Sequence, residues 1–108
     1  MKTFNLAQFR TADSWVMSGR PKGEHVRQRL QLDSEDTSED SVEVEIPIDI
    51  IALNRSFFLG LFGKSVRTLK EEKFRKKYTF HGSPLALRDV EAGIQRALVE
   101  GSALPSKT

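Results

Sequence analysis

The sequence predicts a single α/β domain, and three observations carry that prediction. Val42, Val44, Ile46 and Ile48 alternate with Glu43, Glu45, Pro47 and Asp49, the period-two pattern of a strand with one buried face. Phe57, Phe58, Leu61, Phe62, Val66 and Leu69 then follow at spacings of three and four, which lines them along one side of a helix. Leu87, Val90, Ile94, Ala97 and Leu98 repeat that helical spacing near the C-terminus. A chain of 108 residues can bury one such core, so residues 1–101 are expected to form the domain and residues 102–108 a flexible tail.

The remaining elements fit around these three. Phe4, Leu6 and Phe9 give residues 2–9 a strand-like pattern with a slip at Ala7. Residues 11–23 mix Trp15, Val16 and Met17 with Gly19, Pro21 and Gly23, the pattern of a short strand or ordered loop ending in a turn. Val26 and Leu30 lie four apart, which predicts a short helix over residues 23–30. Residues 31–41 contain Asp33, Glu35, Asp36, Glu39 and Asp40 but little apolar surface to offset ordering entropy, so a mobile acidic loop is expected. Residues 42–50 form the strand described above, and because Pro47 has no amide proton a bulge or an edge position is expected there. Asn54 or Ser56 is placed to cap the Phe-rich helix, and Gly60 and Gly63 within it suggest close packing. Tyr78 and Phe80 mark a last strand. Ser83 and Pro84 open the final helix as cap and first-turn proline, and Gly101 is placed to close it.

Composition excludes several classes of function. Without cysteine there is no disulfide framework, thiolate metal site or thiol nucleophile. The 17 basic and 15 acidic residues nearly cancel, so net charge alone does not point to nucleic acid. No apolar run reaches the roughly 20 residues needed to span a bilayer, and the N-terminus lacks the apolar region of a signal peptide, so a cytoplasmic protein is expected.

No catalytic constellation is expected. His25 and His81 lack a supporting nucleophile or acid at a recognisable spacing. The acidic segment lacks the glycine and terminal glutamate of a calcium loop, so no metal site and no cofactor are expected. Phe62-Gly63-Lys64-Ser65 imitates only the end of a phosphate loop, and within a helix. Lys64, Arg67, Lys70, Lys73, Arg75, Lys76 and Lys77 form a basic run opposed only by Glu71 and Glu72. A solvated helix face accounts for that run, with protein or nucleic-acid contact as alternatives. The strand-to-helix corner at Asn54, Arg55 and Ser56 is the best candidate binding surface, joined by Phe58, Lys64 and Arg67 of the adjoining helix.

The order of these features resembles the STAS-like domain family of unknown function, a relative of the sulphate-transporter and anti-sigma-factor-antagonist domain. Gly23-Glu24 with Arg27, and Ser56-Phe57-Phe58 with Phe62-Gly63, carry the resemblance, which covers roughly residues 2–99. It implies a small sandwich, a mixed sheet of about four strands covered by about three helices. The wider class acts in phosphorylation-controlled protein binding, with a partner kinase of the histidine-kinase-like ATPase type modifying a serine at a corner that usually reads Asp-Ser-Ser-Gly. Here the corner reads Asn54-Arg55-Ser56-Phe57, so the usual modified serine falls at Arg55, Ser56 matches the second serine, and Ser56 is the candidate phosphorylation site that the resemblance leaves.

Two functional expectations follow. The first is a non-catalytic regulatory module that binds a protein, a histidine-kinase-like ATPase by resemblance, through the corner near Ser56. The alternative is an inhibitor or adaptor of phage or mobile-element type. It would bind a nucleic-acid-processing complex through the acidic patch Asp33, Glu35, Asp36, Glu39 and Asp40 and the basic run. Self-association into a homodimer is open to either.

Overall fold

Five short strands alternate with helices along the chain, and the computed structural model describes residues 2–10 and 14–103 of this arrangement. The strands are β1 (Lys2–Asn5), β2 (Val16–Met17), β3 (Val42–Glu45), β4 (Ala52–Leu53) and β5 (Tyr78–His81). The helices are α1 (Arg20–Leu30), α2 (Leu32–Glu35), α3 (Arg55–Phe58), α4 (Lys64–Lys77) and α5 (Pro84–Ala103). A 3-10 turn at Leu6–Phe9 follows β1, and a π-type turn at Leu59–Gly63 joins α3 to α4. The α/β class is as the sequence predicts.

The sheet is parallel where a mixed one was expected. β1, β3 and β5 form a three-stranded sheet with β3 central, aligning Phe4, Val44 and Phe80 across it. β2 and β4 form a second parallel pair with Met17 opposite Leu53. Parallel neighbours need a crossover, and helices separate every such pair here.

Local chemistry sets the element ends. β1 stops at Asn5 because its side-chain carbonyl accepts from Ala7 N at 2.9 Å and turns the chain. α1 starts at Arg20 rather than at Gly23, since Pro21 occupies the first turn, where no amide donor is needed. β3 ends at Glu45, so the strand expected over residues 42–50 is cut short before Pro47. It is central rather than at an edge, Ile46 N still donates to His81 O at 2.7 Å, and Ile48 is exposed instead of on the buried face. Ser83 caps α5 as expected, accepting from Ala86 N at 3.1 Å while its hydroxyl donates to Ile50 O. Gly101 does not close α5, which continues to Ala103. Residues 104–108 of the expected tail lie outside the described residues, as do residues 11–13 of the second segment.

The helices cover one face of the larger sheet. Phe62 is the hub of the aromatic core, with ring centroids 5.1 Å from Tyr78, 5.3 Å from Phe80 and 5.7 Å from both Phe58 and Phe74. Such ring pairs add about 0.5–1.5 kcal/mol each beyond their buried area. α1 meets the π-type turn backbone to backbone. A Cβ on Gly23 would lie 2.2 Å from Phe57 O, and one on Gly60 would lie 2.3 Å from Arg20 O. The close packing expected of Gly60 is therefore its approach to the α1 backbone at Arg20 and Glu24.

Candidate partner-binding surface

The β2–β4 ribbon carries the largest exposed apolar groups that adjoin one another. Ile51 N donates to Trp15 O at 2.8 Å, which sets these two residues side by side at one end of the ribbon. Met17 and Leu53 bury the other end, and Leu53 N donates to Asp89 Oδ2 of α5 at 2.8 Å. The ribbon is thus anchored inward, while Trp15 is 61% exposed, Ile51 49% and Val16 43%, with exposed Ile48 in the preceding turn. Single exposed apolar residues are ordinary, whereas adjoining ones that include a tryptophan make this end of the ribbon the candidate contact surface.

Three residues beyond Ile51, and so about 10 Å along the chain, lies the corner that the sequence singled out. Asn54 N donates to Met17 O, and Asn54 Oδ1 accepts from Ser56 N at 2.8 Å. Asn54 is therefore the cap, and the Ser56 side chain is left exposed with Asn54 and Arg55 beside it. Phe58 is not part of this surface. It is fully buried against Phe62 and Phe80, and a Cβ on Gly93 would meet its ring at 2.4 Å. Its place as the second residue of the apolar stripe turns it into the core. Exposed Lys64 pairs with Asp33 at 3.4 Å and half-buried Arg67 with Glu100 at 3.9 Å, both weak surface contacts.

The acidic segment is ordered, contrary to the mobile loop expected, because basic and hydroxyl groups from distant elements converge on it. Asp36 is buried and accepts from Tyr78 OH at 2.7 Å, Ser65 Oγ at 2.7 Å and Arg27 Nη2 at 2.9 Å. Arg27 also donates to Asp33 Oδ1, to Ser65 Oγ and to Leu61 O within the π-type turn. Burial and the neighbouring Asp36 carboxylate push the Tyr78 phenol far above its ordinary value. Glu35 is buried as well, receiving Lys2 Nζ at 2.7 Å, Ser38 Oγ at 2.7 Å and Lys77 Nζ at 3.4 Å. Burial alone would raise the Glu35 pKa, but these donors outweigh it and hold it below the ordinary value. Every buried polar side-chain atom among the described residues has a partner.

This network corrects the expected acidic patch. Glu35 and Asp36 face inward and are consumed by structural bonds, and exposed Asp33 already holds Arg27 and Lys64. Only Glu39 and Asp40 remain as outward acids in the segment, with Asp40 4.0 Å from Lys2. In the basic run, Arg75 is engaged by Glu91 and Glu71, and Lys77 by the acidic segment, while Lys70 and Lys73 point to solvent.

His25 is exposed on α1 with no side-chain hydrogen bond, while His81 Nε2 meets Glu43 Oε1. The sequence reading did not single out Trp15 as a site. It is the chain's only tryptophan, set beside Val16 in a segment read as a short strand, and that was the available signal. No family model, no curated protein and no solved structure matches the chain. No helix among the described residues is long and apolar enough to cross a membrane.

Proposed function

We propose that this chain is a non-catalytic protein-interaction module whose contact surface is the β2–β4 ribbon together with the corner at Asn54, Arg55 and Ser56. One observation carries the reading: Trp15, with Ile51 and Val16 adjoining it, stands in solvent on a ribbon whose other end is locked into the core. Tryptophan and arginine are the side chains that most often dominate interface energetics, and Trp15 and Arg55 flank the same small sheet. The apolar end supplies area to bury, and the polar corner supplies hydrogen bonds and charge for orientation. A histidine-kinase-like ATPase as partner, and phosphorylation of the exposed Ser56, are the finer form of this proposal and rest on the STAS-like resemblance.

Trp15→Ser and Arg55→Glu test it. Both positions are exposed, so both variants should melt with the wild type. A protein captured from the native host by the wild type should be lost from both variants, with truncation at Trp15 costing about 2 kcal/mol or more of affinity. Equal capture by all three proteins refutes this surface. Capture of a second copy of the chain would assign it to self-association.

A further inference from the structure

The face of the larger sheet opposite the helices is open. Parallel sheets ordinarily have both faces covered. Here Thr3, Glu43, Glu45, Thr79 and His81 alternate outward from three adjacent strands. We infer that Glu43, Glu45 and His81 form a binding site on this face for a divalent transition-metal ion of the zinc type.

Backbone geometry brings the three together. Glu43 and Glu45 are two residues apart on β3 and so share a face, and His81 on β5 registers directly opposite Glu45. One ligand atom from each lies within 4.8 Å of the other two, with His81 Nε2 already against Glu43 Oε1. Zinc bonds of about 2.0–2.2 Å in tetrahedral geometry place ligand atoms about 3.4 Å apart. Half-buried Glu43 and exposed Glu45 reach that spacing by small rotamer changes, while β3, paired on both sides, keeps their origins fixed.

Charge points the same way. Glu35 and Asp36 are met by Lys2, Lys77 and Arg27, whereas no lysine or arginine among the described residues pairs with Glu43 or Glu45. Glu43 has only the imidazole as a side-chain partner, and Glu45 has none. A divalent ion between them would neutralise two converging carboxylates. The imidazole nitrogen selects the class of ion. Magnesium and calcium prefer all-oxygen shells, while one nitrogen and two carboxylates suit zinc and its first-row neighbours. Three protein ligands leave at least one position for water.

The test is calorimetric titration of the full chain, carrying no histidine tag, with zinc chloride, and with magnesium chloride in parallel. The wild type should bind one zinc ion and no magnesium. His81→Ala and Glu45→Gln should each weaken zinc by about tenfold or more, and the 15N resonance of His81 Nε2 should shift on loading. His25→Ala, which removes the other histidine, should bind as the wild type does. Zinc affinity unchanged by both ligand substitutions, or no heat with the wild type at a roughly tenfold molar excess, overturns the site.

Discussion

Replacing Asp36 with alanine should cost more stability than any other acid-to-alanine change in the acidic segment. The carboxylate accepts three hydrogen bonds in a buried setting, so its loss strips Tyr78 OH of its partner, removes an acceptor from Ser65 and leaves Arg27 with Asp33, Ser65 and Leu61 O alone. Removing one partner of a buried ion pair costs about 3–5 kcal/mol, and an orphaned buried hydroxyl about 1–3 kcal/mol. The two overlap here, so about 4 kcal/mol is expected, a large share of the roughly 5–15 kcal/mol that holds a domain together. With a urea slope of about 1–2 kcal/mol/M, the unfolding midpoint should fall by about 2–4 M. Asp33→Ala is the control, because Asp33 touches the same arginine but is 70% exposed, and its midpoint should stay near wild type. Arg27→Met combined with Asp36→Leu should lose less than the sum of the single changes, since no buried charge is left unpaired. If urea melts of Asp36→Ala and Asp33→Ala coincide, the network does not hold the segment and the reasoning fails.

Other outcomes follow from the same structure. Because donors hold Glu35 below its ordinary pKa of 4.5, its contribution is complete above that value and is lost as pH falls through the lower folded-state value. Acid titration of stability should therefore be shallower in Glu35→Gln than in wild type below about pH 4.5, and parallel curves would remove Glu35 from that account. Gly60→Ala should destabilise by about 3 kcal/mol or more in thermal melts, since its methyl group would sit against Arg20 O and backbone cannot swing aside as a side chain does. Lys70 has φ 70° and ψ 164°, a region that glycine alone visits freely. Lys70→Gly should stabilise by about 1 kcal/mol, measured as a higher urea midpoint, and a lower midpoint would contradict that backbone assignment.

Local pattern explains what could be read in advance. The alternation of Val42 to Ile46, the Phe57 to Leu69 stripe and the Ser83-Pro84 helix start depend on neighbours within a few residues, and each faces the core or opens its element as expected, although the π-type turn at Leu59–Gly63 divides the stripe between two helices. The acidic segment could not be read in this way. Its order comes from Lys2, Lys77 and Tyr78, which are 33 to 42 positions away, so composition alone made residues 31–41 look unable to fold. Phe58 was misplaced for a related reason, since a helical stripe next to a functional corner does not show which phenylalanine the sheet will cover. Asn54 and Ser56 were both plausible caps, and the bond from Ser56 N to Asn54 Oδ1 decides between them. Trp15 gains its meaning only from pairing with Ile51 across 36 positions, and His81 meets Glu43 across 38.

Trp15 also supplies the most direct test of the interaction surface, because as the chain's only tryptophan it reports its own environment. The decisive measurement is its fluorescence in the free protein and after addition of the purified protein that the wild type captures. The account predicts fully hydrated emission in the free chain, a shift to shorter wavelength on binding, and no binding by Trp15→Ser. Binding that leaves the emission unchanged and survives Trp15→Ser would contradict it.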